Sequence, residues 1–313
     1  MKAGLNYIVL LCIAAVMASC GGNSGKPGQT PTSGDVTIGV DESYKLLIND
    51  EIQVFEADYS NALVRTRVAT EADVFEMLFN DTIRTIITSR ELTDEEVKFL
   101  RGKQIVAKTT KIAKDGIAII INNSNPDSNF RYDQIEGIFK GEITAWDKID
   151  PTSKLGKIEV IFDNNRSGNP RYFKEKFGLT GKFPDYCLAV NSNEEVIKYV
   201  ENNPGAMGIL SVNWISDKND TTSRTFLKST KLAAIGYQGD TEGDGPFVKP
   251  YQAYIFDDTY PFVRNVYVIN CESFSGLGSG FAQFLAGEKG QRIIKRAGIV
   301  PATMPIRMVQ IKN

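Results

Sequence analysis

Three short polar segments contain the residue types that can hold an anion, and each follows an apolar run. They are Asp41-Glu42-Ser43, Thr88-Ser89-Arg90 and Asn165-Arg166-Ser167-Gly168-Asn169. Hydroxyl, amide and acidic residues cap helices, and the free amides at a helix start favour negative charge. An arginine adds a charged donor with a forked geometry. Ordinary capping accounts for each segment alone, whereas three of them facing one cleft would surround a small oxyanion.

The third segment belongs to FDNNRSGNPRYF (162–173), which separates an apolar run from an amphipathic helix. Proline suits the first turn of a helix, where its missing N–H needs no partner. We therefore expect the helix to begin near Pro170, with Gly168 or Asn169 at its cap. The free backbone amides of that first turn would then point towards the anion.

Two arginines flank the Ser167-Gly168 pair, and either one could be the cationic partner of the anion. Arg166 precedes the pair in the loop, and Arg171 lies on the first turn of the predicted helix. The Ser167 hydroxyl adds a donor, and Gly168 lets the backbone approach a ligand closely. The sequence leaves the choice between the two arginines open.

Composition argues against several other classes of function. The chain has 313 residues with a formal net charge of −2, whereas nucleic-acid-binding domains are usually basic. It has no histidine, so Ser-His-Asp and Cys-His nucleophiles cannot form, and zinc sites lose their usual ligand. We expect a protein that is not an enzyme and binds no metal, cofactor or nucleic acid. Spacing does not decide whether Cys187 and Cys271 form a disulfide.

The N-terminus has the features of a lipoprotein signal. Residues 7–17 form an apolar run that is too short to span a bilayer, and the following VMASC resembles a bacterial lipobox. We expect residues 1–19 to be a signal peptide, Cys20 to carry a lipid, and residues 20–35 to form a flexible linker. This predicts a protein body anchored to a membrane of the cell envelope on its periplasmic side.

The elements that would position the polar segments alternate between strand and helix patterns. Strands are predicted for VTIGV (36–40), ALVRTRVA (62–69), TIRTIITS (82–89), DGIAIIIN (115–122), KIEVIF (157–162), KLAAIGY (231–237) and YPFVRNVYVIN (260–270). Amphipathic helices between them indicate an α/β protein with a mostly parallel sheet and helices on both faces. In such sheets ligands bind at the carboxyl ends of strands, where the three polar segments lie.

A set of longer segments resembles, in the same order, the phosphate-binding proteins of ABC importers. The segments are AKDGIAIIINNSNP, IFKGEITAW, RSGNPRYF, NNPGAMGILS, TYPFVRNVYVI and FAQFLAGEKGQRIIKRAGIVPA. The likeness covers nearly all of residues 36–304. It implies a two-lobed type II periplasmic-binding-protein fold with two hinge-strand crossings. Lobe 1 would comprise residues 36–116 and 262–313, and lobe 2 residues 117–261.

The resemblance also implies a function. A lipid-anchored solute-binding protein would capture inorganic phosphate for an ABC importer and would make or break no bond. Its partners would be the permease subunits and, through the lipid on Cys20, a membrane, and it would be a monomer. The alternatives keep the fold but bind another oxyanion, sulfate or molybdate, or act as a phosphate sensor without a dedicated permease.

By resemblance, the loops after three strands are expected to bind the oxyanion. The residues that match the family's loops well are Ser43, Ser89, Ser167 and Gly168. With their neighbours, the predicted ligand-binding residues are Glu42, Ser43, Ser89, Arg90, Arg166, Ser167, Gly168, Asn169 and Arg171.

Four positions depart from the family's pattern. Asp41 and Glu42 replace small residues of its first loop, Asp163 stands where the family often has an arginine, and Asn169 replaces a threonine. A carboxylate at Glu42 would either accept a proton from hydrogen-phosphate or repel the anion. The identity of the oxyanion therefore stays open at the level of sequence.

Overall fold

The computed structural model describes residues 28–216 and 230–305. Its strands are β1 (Gly34–Asp41), β2 (Ala62–Ala69), β3 (Thr85–Thr88), β4 (Lys108–Asn122), β5 (Asn129–Phe130), β6 (Glu159–Phe162), β7 (Cys187–Ala189), β8 (Ala206–Ser211), β9 (Thr230–Leu232), β10 (Ala234–Ile235), β11 (Val263–Asn270) and β12 (Val300–Pro301). The predicted signal peptide and Cys20 lie outside the described residues.

Ten α-helices connect the strands of the described part. They are α1 (Lys45–Asp58), α2 (Glu71–Phe79), α3 (Asp94–Gly102), α4 (Tyr132–Lys140), α5 (Gly168–Lys176), α6 (Asn193–Asn202), α7 (Asn213–Ser216), α8 (Gln252–Phe256), α9 (Leu277–Ala286) and α10 (Glu288–Arg296). Short 3-10 helices occupy Glu42–Tyr44 and Trp146–Lys148. The predicted alternation of strands and helices is therefore present along most of the chain.

The main sheet has the strand order β2-β1-β3-β11-β4-β8-β6-β7, with β12 and β9 also paired to β4. Pairing is parallel between β1 and its neighbours β2 and β3, and between β6 and its neighbours β7 and β8. Every antiparallel pairing in the described part involves β4 or β11. These two strands therefore join two parallel halves, one with β1 to β3 and one with β6 to β8.

Strand β4 belongs to both halves of the sheet. Its residues 108–116 pair with β11, and its residues 117–121 pair with β8. The sequence predicted only residues 115–122, because the preceding KTTKIAK has lysines and threonines that hide the apolar pattern, and its first four residues are exposed. The lobe limits themselves stay a prediction, since one continuous strand passes from one half to the other.

Several local predictions changed in detail. The segment predicted as one strand at 231–237 is divided between β9 and β10. Strand β1 begins at Gly34, inside the segment predicted as linker.

Cys187 and Cys271 are both free thiols. No helix of the described residues has the length and apolar character needed to cross a bilayer.

An aromatic cluster fixes helix α5 behind β6. Phe173 of α5 stacks on Phe139 of α4, with ring centroids 4.3 Å apart and planes at 17°. Phe162 at the end of β6 and Phe262 just before β11 pack on the same ring. This packing holds the first turn of α5 against the carboxyl end of β6. The helix starts at Gly168 with Ser167 as its N-cap, which corrects the predicted start near Pro170.

Candidate functional site

The loops that follow β3 and β6 touch each other at Gly168. A β-carbon at this residue would lie 2.6 Å from Ser89 Oγ, 3.1 Å from Arg264 Nη1 and 3.1 Å from Glu71 Oε2. Any side chain here would collide with the opposite loop, so the close approach requires glycine. The structure thus brings the predicted residues Ser89 and Gly168 together from opposite halves of the sheet.

A buried carboxylate, Glu71 at the start of α2, lies between these loops. Thr88 Oγ1 and the Ser89 backbone N–H each donate to its Oε2 over 3.1 Å, and the Ser89 hydroxyl donates to the same oxygen. Arg171 donates from Nε to Oε1 over 2.5 Å and from Nη2 to Oε2 over 3.3 Å. Glu71 is 2% exposed, and these five bonds occupy its carboxylate.

A buried arginine, Arg264 on β11, reaches the same place from the core. Its side chain is 3% exposed, and its Nε donates to Asp115 Oδ2 over 3.2 Å. Its guanidinium lies 5.4 Å from the centre of the Tyr44 ring. Neither Nη1 nor Nη2 has a hydrogen-bond partner among the described residues. Because an unpaired charged donor is costly in the interior, these two nitrogens mark a position for a ligand.

Asp163, which follows the last residue of β6, organises the start of α5. Its Oδ1 accepts a hydrogen bond from the Ser167 hydroxyl over 2.6 Å and one from Asn169 Nδ2 over 2.9 Å. Asp163 Oδ2 and Asn169 Oδ1 are buried without a partner in the described part of the chain. Two departures from the family's pattern, Asp163 and Asn169, are therefore bonded to each other, and the Ser167 hydroxyl already has an acceptor.

The loop after β1 contributes a free hydroxyl to the interior. Ser43 is fully buried, its backbone N–H donates to Asp41 Oδ1 over 3.0 Å, and its carbonyl accepts from Asn213 Nδ2 over 2.6 Å and Trp214 Nε1 over 3.0 Å. The Ser43 hydroxyl and Asp41 Oδ2 have no partner among the residues that the structure describes. Glu42, beside them, accepts from the backbone N–H of Asn193 over 3.3 Å.

Two of the predicted cationic residues lie outside this cluster. The Arg166 side chain is 50% exposed and donates to Asp73 over 2.7 Å and to Glu76 over 2.5 Å, both on α2. Arg90 lies over the Phe75 ring at 3.6 Å and pairs with Glu96 at 2.7 Å. Both guanidinium groups are therefore bound to protein groups at the outer surface near α2. We replace Arg166, as the candidate cation of the site, by Arg264.

The carboxyl groups of the cluster differ in how easily they ionise. Burial and, after it, the charge of Glu71 raise the pKa of Asp41 to about 7, although Arg264 opposes the rise. Burial also raises the pKa of Glu42 to about 7 and that of Asp163 above its ordinary value. Burial alone would raise the pKa of Glu71, but Arg171 and the bond from Ser89 hold it below its ordinary value. Glu71 is therefore charged at neutral pH, while Asp41 and Glu42 titrate there.

An open groove of about 910 Å³ leads from the cluster to the surface. Glu71, Ser167 and Arg171 line its inner end. Basic side chains in its walls are Arg90, Arg166, Lys174 and Lys182, and aromatic ones are Phe75, Phe162 and Phe183. Among the described residues, no group of three or more His, Cys, Asp and Glu side chains is arranged to hold a metal ion. The cluster offers forked donors, a hydroxyl and a glycine that permits close approach, which together suit an oxyanion.

Sequence reasoning missed Arg264 and Glu71. The sequence did contain a signal for Arg264, which is the single arginine inside the apolar run YPFVRNVYVIN. Arginines are almost never fully buried unless they are paired, so an arginine in a buried strand indicates a partner. Its inward position also follows from strand alternation, since Arg264, Val266 and Val268 share the buried face of β11. Glu71 had no such signal, because an acidic residue after the cap Thr70 is ordinary at a helix start.

Comparisons with known proteins agree with this architecture. The model of the PBP superfamily domain matches residues 25–289. The curated phosphate-binding protein PstS of Staphylococcus aureus (strain USA300) is 21% identical over 291 residues, which cover 92% of this chain and 84% of that protein.

Solved structures show the same fold at low sequence identity. A candidate phosphate ABC transporter substrate-binding protein from Clostridium perfringens, solved with bound phosphate, superposes with a TM-score of 0.72 at 20% identity and covers 86% of this chain and 100% of that one. An ABC-type phosphate transport receptor from Vibrio cholerae has a TM-score of 0.63 at 23% identity, with coverage of 86% and 100%. The chain therefore belongs to the PBP superfamily and has the type II periplasmic-binding-protein fold.

Proposed function

We propose that this chain captures inorganic phosphate as the solute-binding protein of an ABC importer. The observation that carries the proposal is the buried guanidinium of Arg264, whose two terminal nitrogens have no partner in the described part of the chain. Ser43 adds an unpartnered hydroxyl donor in the same interior. The relatives support phosphate as the ligand, since they are named phosphate-binding proteins and one is solved with phosphate bound.

The unpaired acceptors of the site favour phosphate over sulfate. Asp41 Oδ2 and Asp163 Oδ2 are buried and lack partners within the described residues. Phosphate still carries a hydrogen at neutral pH and can donate it to such a carboxylate, whereas sulfate has none to give. An oxyanion without a hydrogen would leave these acceptors unpaired and would face their negative charge, which is costly in a buried site.

Binding rather than catalysis follows from what the cluster contains. The hydroxyls of Ser89 and Ser167 are already bonded to carboxylates, and no imidazole exists in the chain to activate a nucleophile. Closing of the two halves on the ligand would remove it from water and pair its oxygens with the donors of both halves.

The remaining parts of the proposal concern the envelope. A lipid on Cys20 would anchor the protein on the periplasmic side of a membrane, where permease subunits would receive the phosphate. The observation that supports the anchor is the VMASC motif followed by a glycine-rich linker. A Cys20→Ala precursor should take up no labelled fatty acid and should leave the membrane fraction. Incorporation of the label into that variant would contradict the anchor.

The proposed ligand is tested by calorimetry on protein that has been freed of bound anion by partial unfolding and refolding. Phosphate and arsenate, which both retain a hydrogen at neutral pH, should bind, while sulfate and molybdate should give no heat. Tight binding of sulfate with none of phosphate would assign a different oxyanion to the site. Loss of phosphate uptake in cells that lack this protein would distinguish an importer component from a sensor.

A further inference from the structure

We propose that Glu71 is a built-in competitor of the ligand: its carboxylate takes the place of an oxyanion and holds the two halves together when no phosphate is bound. The inference rests on the proposed function for the identity of the ligand. It concerns a residue that lies on α2 and was not among the predicted binding residues.

The partners of Glu71 are the donors that a bound oxyanion would use. Two hydroxyls, one backbone amide and two guanidinium nitrogens converge on its two oxygens. Forked arginine donors and short hydroxyl bonds are typical of carboxylate and phosphate recognition alike. A carboxylate at this position therefore satisfies the same donors without any ligand.

The packing around Gly168 leaves no space for an anion between this residue and the donors that bind Glu71. A single carbon atom added to Gly168 would already lie 2.6 Å from Ser89 Oγ and 3.1 Å from Glu71 Oε2. A tetrahedral oxyanion is larger than one carbon atom. To use the donors of Thr88, Ser89 and Arg171, phosphate must therefore part the two loops and displace the carboxylate of Glu71.

The contacts that close this part of the cleft involve only protein groups. The backbone N–H of Ala72 donates to the carbonyl of Arg166 over 3.2 Å, next to the Glu71–Arg171 pair. Arg166 also pairs with Glu76, one turn further along α2. Because these bonds join α2 to the loop that precedes α5, they stabilise a closed arrangement without any contribution from a ligand. Phosphate must compete with that arrangement, which lowers its apparent affinity.

The groove beside the cluster offers a place for the displaced side chain. Glu71 itself lines the inner end of this groove, and Lys174 and Lys182 lie in its walls. Rotation of the Glu71 side chain into the groove would move its charge towards water and these lysines, away from the incoming anion.

Two variants at this position separate the charge of the carboxylate from its shape. Glu71→Ala removes the competitor, and Glu71→Gln keeps the shape but loses the charge. The matched control is Glu76→Gln, on the same helix, whose side chain is 62% exposed and also pairs across the cleft with Arg166. Small-angle X-ray scattering of the ligand-free proteins measures closure, and calorimetric titration with inorganic phosphate measures affinity, with melting curves as the folding control.

We expect the ligand-free wild type to scatter as a compact particle, and Glu71→Ala to have a larger radius of gyration that phosphate restores. Glu71→Ala should bind phosphate about tenfold more tightly, the factor that one charge-assisted hydrogen bond is worth. Glu71→Gln should show a smaller gain. Glu76→Gln weakens only an exposed ion pair with Arg166, so it should show the smallest change.

Two results would overturn the inference. One is a folded Glu71→Ala protein that binds phosphate more weakly than wild type, which would make Glu71 a part of the ligand's own shell. The other is identical scattering of ligand-free wild type and Glu71→Ala. If wild type binds no phosphate at all, the proposed function fails, whereas the scattering comparison still decides whether Glu71 closes the cleft.

Discussion

Arg171 and Arg264 reach the same cluster from opposite sides and differ in how their donors are used. Arg171 bonds through all three of its nitrogens, to Glu71, Ser89 and Glu175, and its side chain is 25% exposed. Among the residues that the structure describes, Arg264 bonds only through Nε, to Asp115, and its side chain is 3% exposed. The arginine near the surface is satisfied by the protein, while the arginine in the interior is not.

This difference identifies the side of the cluster that needs a ligand. A buried charged donor without a partner costs more than a surface donor, which water can pair. The Arg171 side can close without a ligand, because Glu71 supplies the anion. The Arg264 side gains its missing partners only from a molecule that enters the cleft. Each of the following experiments tests one part of this contrast.

The largest effect is expected from the loss of the two free nitrogens of Arg264. Arg264→Met should weaken phosphate binding about a thousandfold, since each charge-assisted hydrogen bond is worth roughly 1.5–3 kcal/mol. Arg264→Lys keeps a cation beside Asp115 but loses the fork, and should weaken binding about a hundredfold. Calorimetric titration with phosphate measures both.

The control for Arg264 is the exposed Arg166, which flanks the same loop but pairs with α2. Arg166→Lys should bind phosphate like wild type. A folded Arg264→Lys protein with unchanged affinity, or a large loss in Arg166→Lys, would reverse the contrast between the interior and the surface.

A second experiment tests the assumption that a buried ionisable group without a partner is costly where no ligand uses it. Glu51 on α1 is fully buried, its two carboxylate oxygens lack partners in the described part of the chain, and burial, with Asp50 nearby, raises its pKa to about 9. Glu51→Leu should therefore raise the free energy of unfolding at pH 7 by about 3 kcal/mol. Denaturant titration measures this, with the exposed Glu95→Leu as control.

The raised pKa of Glu51 also predicts how the stability of the fold changes with pH. A buried acid with a raised pKa keeps its proton in the folded state while the unfolded state loses it, so stability falls as pH rises from about 4.5 to about 9. Glu51→Leu should flatten this decline. A decline of the same slope in the variant would show that Glu51 is not its source.

A third experiment concerns the pH dependence of binding. Asp41, whose pKa burial raises to about 7, is influenced by Glu71 and Asp163 as like charges and by Arg264 as the opposite charge. As pH rises from 6 to 8, Asp41 loses its proton. Phosphate has a single hydrogen to share between the acceptors of Asp41 and Asp163, so the added negative charge repels the anion and phosphate affinity should fall about tenfold. Asp41→Asn should bind with a weaker pH dependence. A steeper fall in the variant would contradict this role.

The smallest change in phosphate affinity is expected from two serines of the cluster. The Ser43 hydroxyl has no partner among the described residues, whereas the Ser167 hydroxyl already donates to Asp163. Ser43→Ala should weaken phosphate binding about fivefold, the value of a hydrogen bond of roughly 1 kcal/mol, and Ser167→Ala should weaken it less. Calorimetry on both folded variants decides, and a larger loss for Ser167→Ala would make the helix start the dominant donor.

The sequence was sufficient for features that depend on neighbouring residues. The pattern ALVRTRVA predicted β2 with the bounds that the structure has, since alternation and β-branched residues are local properties. The positions of the polar segments after β1, β3 and β6 followed from the ends of apolar runs.

Tertiary structure alone decided which charged groups meet in the cleft. Arg166 and Arg171 both flank the Ser-Gly pair in sequence, but the carboxylates of α2 draw Arg166 to the surface and Arg171 to Glu71. Arg264 lies about a hundred residues further along the chain and enters the cluster because β11 pairs between β3 and β4. No sequence periodicity identifies the partner of a charged residue. The Coulomb interaction depends on distance in space and on burial, and the fold sets both.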